Sequence, residues 1–266
     1  MVKFEHYKFH YSFTGSWDTP PILFLHGFIG SSDDFNHGIK LLSDKFSCLA
    51  VDLPGHGKTQ VIGDEEYYTM PHTANALIKL LDKLNIEKCS LVGYSMGGRL
   101  AFYLMLHFPE RFSQVVIESA SPGLKSQEEQ SLRIKQDSKL AKEIETSDFA
   151  SFLLKWYNQP LFKSLKEHQN FNDLIKRRLE NNPLELSKSL RQMGIGCQPS
   201  LWDKLETNKI SLLLLVGEYD HKFIEINAEM AKRCAVANIK IIKNCGHNIH
   251  FEQMPQWVKY VKEFCS

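Results

Sequence analysis

Long apolar runs are missing from this sequence of 266 residues. No run approaches the ~20 residues that a membrane-spanning helix requires. Residues 1–6 also lack the apolar stretch that a secretory signal peptide carries. These absences predict a protein without membrane insertion.

Paired cysteines and an excess of charge are missing as well. The six cysteines never occur as C-x-x-C, and their spacing matches no zinc-binding pattern. Scattered single thiols are typical of a reducing compartment, so we expect a cytoplasmic protein with no metal site. The 32 basic and 31 acidic residues give a net charge of +1. This balance disfavours binding to nucleic acid, and the sequence defines no oligomeric state.

The most informative stretch is a G-x-S-x-G motif, in which Ser95 stands between Gly93 and Gly97. A short apolar run precedes the motif and a helical pattern follows it. Strand, sharp turn and helix in this order are typical of a nucleophile elbow. Such a turn exposes the serine hydroxyl at a helix N-terminus, where free N–H groups favour developing negative charge.

Strand and helix patterns alternate along most of the chain. Apolar runs that predict buried strands lie at residues 22–25, 46–51, 89–92, 114–119, 211–216 and 239–242. This alternation is typical of an α/β fold with a mostly parallel sheet and helices on both faces. By contrast, residues 123–199 are helical and charged, without strand runs. We therefore predict an α/β core formed by residues 1–122 and 200–266, with residues 123–199 inserted as a helical cap.

Three polar residues follow predicted strands in the order nucleophile, acid, base. They are Ser95, Asp220 and His247, and this order is that of the α/β-hydrolases. The carboxyl ends of parallel strands share one edge of the sheet, so these side chains can meet there. In such a catalytic triad the histidine accepts the serine proton and the aspartate orients the histidine. The alternative is three unrelated turn residues.

A glycine-rich loop, His26-Gly27-Phe28-Ile29-Gly30, follows the first buried strand. In α/β-hydrolases the equivalent loop supplies half of the oxyanion hole. We predict that the backbone N–H groups of Phe28 and Met96 form this hole. We expect His26 to pin the loop in place and not to take part in catalysis.

Five segments resemble a single enzyme family. They are Leu25-His26-Gly27-Phe28-Ile29-Gly30-Ser31, Gly93-Tyr94-Ser95-Met96-Gly97-Gly98-Arg99, Ser121-Pro122-Gly123-Leu124, Trp156-Tyr157-Asn158-Gln159-Pro160-Leu161-Phe162 and Gly246-His247-Asn248-Ile249-His250. They resemble the 2-succinyl-6-hydroxy-2,4-cyclohexadiene-1-carboxylate synthases of menaquinone and phylloquinone biosynthesis. The resemblance spans nearly the whole chain and implies an α/β-hydrolase fold.

The resemblance implies a carbon–oxygen lyase. The family eliminates pyruvate from 2-succinyl-5-enolpyruvyl-6-hydroxy-3-cyclohexene-1-carboxylate, a small tricarboxylate, without metal or organic cofactor. Such a substrate requires fixed cations, and the planar fork of arginine binds carboxylates in a bidentate manner. Tyr94 and Trp156 match pocket residues of the family, although Trp156 could instead belong to the core of the cap.

The resemblance also implies which arginines bind the substrate. Arg99 lies one helical turn after Ser95, on the same face of the helix. Arg133 and Arg178 match arginines in the cap of family members, and a one-residue gap would exchange Arg178 with Arg177. The alternative for each cap arginine is a solvated surface position.

In the implied mechanism, His247 takes the proton of Ser95, and the serine oxygen then removes a ring proton of the substrate. The N–H groups of Phe28 and Met96 hold the resulting dienolate oxygen.

Two other functions fit the same fold and triad. A carboxylesterase or C–C bond hydrolase would form an acyl-enzyme and would favour a neutral pocket. A hydrolase-fold receptor would turn over very slowly and would change its partner binding when ligand is present.

Overall fold

The computed structural model describes residues 1–266. Its strands are β1 (Val2–Phe4), β2 (Tyr7–Phe9), β3 (Tyr11–Thr14), β4 (Pro21–Leu25), β5 (Ser47–Val51), β6 (Gln60–Val61), β7 (Cys89–Tyr94), β8 (Phe112–Glu118), β9 (Ser211–Gly217) and β10 (Ala237–Ile242). Its helices are α1 (Asn36–Leu42), α2 (Met70–Lys83), α3 (Met96–His107), α4 (Gln127–Thr146), α5 (Phe149–Tyr157), α6 (Lys163–Glu167), α7 (Phe171–Arg178), α8 (Pro183–Met193), α9 (Trp202–Leu205), α10 (His221–Arg233), α11 (Ile249–Glu252) and α12 (Met254–Cys265). Short 3₁₀ helices cover Ser32–Phe35, Glu65–Tyr68, Pro109–Arg111 and Pro160–Phe162. None of these helices is both long and apolar enough to cross a membrane.

A seven-stranded sheet forms the centre of the molecule, in the order β10-β9-β8-β7-β4-β5-β3. Every neighbouring pair is parallel except β3 and β5. The predicted mostly parallel sheet is therefore confirmed. A small antiparallel sheet, β1-β2-β6, lies apart from it; β6 has two residues and was too short for its pattern to predict.

Helices cover both faces of the large sheet because successive side chains of each strand point to opposite faces. On β4, Leu23 and Leu25 pack in one core cluster with residues of α2, α3 and α10. Ile22 and Phe24 pack in a second cluster with residues of α1 and α12. The continuous apolar runs of the sequence thus correspond to strands that are buried on both sides.

Helices α4 to α8 lie between β8 and β9 and have a separate apolar cluster, built on residues such as Ile144, Phe152 and Leu186. Ile29, from the loop after β4, is fully buried in that cluster. Its carbonyl oxygen also accepts a hydrogen bond from Nδ2 of Asn181, which follows α7. One residue of the glycine-rich loop therefore helps to join these five helices to the core, and we refer to the five helices below as the cap.

The turn between β7 and α3 is tightly packed against the end of β4. A Cβ atom on Gly97 would overlap the backbone oxygens of Leu25 and His26. We expect Gly97→Ala to lower the free energy of unfolding by about 1–3 kcal/mol, since these oxygens belong to the buried backbone at the end of β4 and cannot move aside. Urea denaturation measures this change.

Gly246→Ala is a matched control, because its Cβ would come close only to the hydroxyl of Ser164, which can rotate. Equal losses of stability in the two variants would contradict this steric explanation.

Candidate active site

Ser95 stands at the junction of β7 and α3 in a strained backbone conformation, with φ 50° and ψ −109°. Its N–H donates to the carbonyl oxygen of Glu118 at 2.9 Å, which fixes the turn to the end of β8. The N–H of Arg99 in turn donates to the carbonyl oxygen of Ser95. The hydroxyl of Ser95 therefore lies at the start of α3, where backbone N–H groups have no partner within the helix.

The structure brings Ser95, Asp220 and His247 together. Nε2 of His247 lies 3.1 Å from Oγ of Ser95, and Nδ1 of His247 lies 2.6 Å from Oδ2 of Asp220. Asp220 follows β9 as the N-cap of α10, and His247 follows β10. Both are buried, whereas Ser95 is partly exposed. This geometry suits a serine oxygen that passes its proton to the imidazole.

The glycine-rich loop after β4 lies beside this serine. The backbone N–H of Phe28 donates to no acceptor within the protein, and Phe28 and Met96 both line the cavity that contains Ser95. His26 is fully buried, and its Nε2 accepts a hydrogen bond from the N–H of Leu53 at 3.0 Å. Burial lowers the pKa of His26, so its ring is neutral and holds the loop in place, as predicted.

A cavity of about 800 Å³, including its open mouth, lies between the sheet edge and the cap. Its lining is mainly apolar, but it contains three basic side chains, Arg99, Arg133 and Lys222. A largely apolar cleft with a few placed charges is typical of a small-molecule site. The arrangement fits a small anionic ligand held against Ser95.

Arg99 and Arg133 present their positive charges from neighbouring helices, α3 and α4. A guanidinium nitrogen of Arg99 donates to Oε1 of Gln198 at 3.1 Å, and Arg99 forms no ion pair. Burial, and then the nearby Arg133, lower the pKa of Arg99 to about 10, so it stays charged at neutral pH. Nε of Arg133 donates to Asp137 at 2.7 Å, which leaves the two terminal nitrogens of Arg133 without a protein partner.

The structure distinguishes Arg178 from Arg177. Arg178 lines a smaller pocket beside Ser95, whereas Arg177 lines a polar surface pocket that does not contain Ser95. Arg178 is buried and pairs with Asp34 at 2.6 Å, and its Nε donates to the hydroxyl of Tyr157 at 3.0 Å. Arg178 therefore shares a pocket with the nucleophile, but its charge is already balanced within the protein.

Tyr94 and Trp156 both line the smaller pocket that contains Ser95. Tyr94 is buried, lines the smaller pocket, and its ring lies 5.5 Å from that of His247. Trp156 lines both pockets and packs edge-on against the ring of Phe28, with centroids 5.5 Å apart. Both predicted pocket residues thus lie within reach of a ligand at Ser95.

Sequence reasoning missed Glu118, a fully buried carboxylate at the end of β8. It accepts hydrogen bonds from the backbone N–H groups of Ile249 and His250 and contacts Nδ1 of His250 at 2.9 Å. These bonds fix the segment directly after His247. The available signal was a single acidic residue at the end of an apolar strand.

The elbow, the triad and the sheet order together define an α/β-hydrolase. The family model of the alpha/beta hydrolase fold matches residues 20–253 of this chain.

Comparison of this chain with individual proteins identifies a narrower family within the α/β-hydrolases. The chain is 38% identical over 249 residues to the putative 2-succinyl-6-hydroxy-2,4-cyclohexadiene-1-carboxylate synthase of Bacillus subtilis (strain 168), covering 92% of this chain and 90% of that protein. It is 34% identical to the synthase of Escherichia coli O1:K1 / APEC, covering 88% of each. The structure of MenH from S. aureus superimposes with a TM-score of 0.90 at 33% identity, covering 98% of each chain. The chain belongs to the 2-succinyl-6-hydroxy-2,4-cyclohexadiene-1-carboxylate synthase family.

Loss of one partner from the buried ion pair of Asp34 and Arg178 should have a large effect on the free energy of unfolding. We expect Asp34→Asn to lower the free energy of unfolding by about 3–5 kcal/mol, because it leaves the Arg178 charge buried without a counterion. Burial favours a raised pKa for Asp34, but Arg178 outweighs burial and lowers the pKa. The stabilisation is therefore present above the unfolded-state pKa of about 4 and is lost as the pH falls through the folded-state value. Urea denaturation at several pH values measures both effects.

Asp173→Asn is the control, since its ion pair with Lys176 is exposed and should contribute less than about 1 kcal/mol. The double variant Asp34→Asn, Arg178→Met should recover part of the loss. The explanation is contradicted if Asp34→Asn costs no more than Asp173→Asn.

Proposed function

We propose that this protein eliminates pyruvate from 2-succinyl-5-enolpyruvyl-6-hydroxy-3-cyclohexene-1-carboxylate to give 2-succinyl-6-hydroxy-2,4-cyclohexadiene-1-carboxylate, in menaquinone or phylloquinone biosynthesis. The observation that carries the proposal is an assembled triad that opens into a cavity with unpaired arginine nitrogens, in a member of this synthase family. A neutral ester would need no such cations, whereas a tricarboxylate does.

The reaction begins with proton transfer. Oγ of Ser95 passes its proton to Nε2 of His247 and removes the ring proton that is acidified by the succinyl ketone. Asp220 stabilises the imidazolium that forms, through its contact with Nδ1 of His247. Serine thus acts as a relayed base and forms no acyl-enzyme.

The electrons of the broken C–H bond first move onto the ketone oxygen. The resulting dienolate oxygen accepts hydrogen bonds from the N–H groups of Phe28 and Met96, which require no reorganisation as the charge develops. When the ketone re-forms, the ring double bond shifts and the C–O bond to the enolpyruvyl group breaks. The departing enolate takes up the proton that His247 holds and becomes pyruvate, which returns Ser95 and His247 to their starting protonation states.

We further propose that Arg99 and Arg133 bind carboxylates of the substrate, and that Tyr94, Trp156 and Arg178 form the wall beside the serine. All six cysteines are free thiols, which supports a reducing, cytoplasmic location. The mechanism requires no metal or organic cofactor.

Replacing the serine tests the reaction class. We expect Ser95→Ala to reduce the rate of pyruvate release by about 10²–10⁴-fold, because the relayed base is lost. The substrate is generated in situ by the upstream synthase, pyruvate is measured with lactate dehydrogenase, and spontaneous elimination is subtracted.

Ser113→Ala is the matched control, since Ser113 lies at the opposite end of β8 from the cavity and this variant should keep wild-type activity. Wild-type release no faster than the spontaneous rate would overturn the proposed function. A burst of alcohol from an activated ester would then favour the esterase alternative.

The arginine at the elbow tests substrate recognition. We expect Arg99→Ala to lower kcat/KM about 10- to 100-fold, since a hydrogen bond between charged groups contributes ~1.5–3 kcal/mol. Arg99→Lys should recover only part of this loss, because an ammonium group cannot bind a carboxylate in a bidentate manner. The kcat/KM values of wild type, Arg99→Ala and Arg99→Lys are measured by steady-state pyruvate release.

Arg177→Ala removes an arginine that lies outside the cavity and should leave kcat/KM within about twofold. An unchanged kcat/KM in Arg99→Ala would contradict the role of Arg99 as a carboxylate ligand.

A further inference from the structure

Some of the basic side chains near Ser95 already form ion pairs within the protein and are therefore not fully available to a ligand. Arg178 is balanced by Asp34, and Arg133 gives its Nε to Asp137. Arg99 is unpaired. The proposed substrate, on which this inference rests, carries three carboxylates. The arginines with nitrogens available for ligand, Arg99 and Arg133, therefore leave one substrate carboxylate without a cation.

Lys222 is the remaining basic residue of the cavity lining. It is the second residue of α10 and lies two positions after Asp220. Its side chain is exposed at the cavity, and its Nζ forms neither an ion pair nor a hydrogen bond with the protein. Its ammonium group is thus available to a ligand.

The position of Lys222 in its helix is unfavourable for a cation. The first turn of α10 contains Lys222 and no acidic residue, and the positive end of a helix dipole disfavours a nearby positive charge by ~0.3–1 kcal/mol. The carboxylate at the N-cap of this helix, Asp220, is already engaged by Nδ1 of His247, whereas an anion at the cavity mouth would give Lys222 a partner.

Phe223 connects the lysine to the catalytic base. The ring of Phe223 lies 4.9 Å from the ring of His247, and Nζ of Lys222 lies 5.8 Å from the centroid of Phe223. Phe223 also lines the cavity. A carboxylate held by Lys222 would thus lie near the Phe223 ring, which contacts His247, on a wall formed by α10, while Arg99 and Arg133 belong to α3 and α4.

We propose that Lys222 binds the substrate carboxylate that Arg99 and Arg133 leave without a partner. It orients the substrate and takes no part in proton transfer. Its removal should therefore weaken binding and leave the chemical step nearly unchanged.

The test compares Lys222→Met, Lys222→Arg and the control Lys232→Met in pyruvate release. Lys232 lies in the last turn of the same helix, outside the cavity and without an ion pair, so its replacement causes the same change in net charge. We expect KM to rise about tenfold in Lys222→Met with kcat within twofold of wild type. Lys222→Arg should stay within threefold in both constants, and Lys232→Met should match wild type.

A binding measurement that needs no turnover accompanies the kinetics. The probe is a stable benzoate that carries a succinyl chain, titrated by calorimetry into wild type and Lys222→Met with and without an added equivalent of pyruvate. Weaker binding of the probe or of pyruvate by Lys222→Met supports the proposal. Equal affinities together with an unchanged KM overturn it. If wild type binds the probe but releases no pyruvate, the proposed function fails while the binding comparison still decides the role of Lys222.

Discussion

The close approach of β7, α3 and β4 is the constraint on which the site depends. Gly97 lies against the backbone oxygens at the end of β4, where a Cβ would not fit, and the adjoining turn holds Ser95 at φ 50°. The same turn places the serine at a helix start, next to the loop that bears Phe28 and opposite His247. One steric requirement therefore fixes the nucleophile and both predicted oxyanion donors at once. The strain is stabilised by the surrounding packed sheet.

Charges around the cavity fall into two groups with different roles. Arg178 and Asp34 satisfy each other in a buried pair that joins the cap to the segment after β4. Arg99 and Lys222 have no carboxylate partner. Paired charges of the first group hold the architecture, and unpaired charges of the second group are available to an anion. This division explains why resemblance to family arginines alone does not tell which cations remain free for a ligand.

The strands, the elbow and the triad could be predicted because each has a local signature. Apolar runs mark strands buried on both faces, and the order of Ser95, Asp220 and His247 follows from strand ends that share one sheet edge. By contrast, the partnerships of Glu118 and Asp34 join residues that are 132 and 144 positions apart in sequence. No periodicity encodes such pairs. Short elements such as β6 and α9 were missed because two to four residues carry too little pattern.

Ile29 has a mechanical consequence for the enzyme. Its side chain is buried in the apolar cluster of the cap, while its neighbour Phe28 lines the cavity that contains Ser95. Lifting the cap would expose Ile29, at a cost of about 1.5–3 kcal/mol for an aliphatic side chain, and would loosen the chain segment that carries Phe28. Movement of the cap and the order of the loop beside Ser95 are therefore coupled, through the buried side chain of Ile29 and through the Asp34–Arg178 pair.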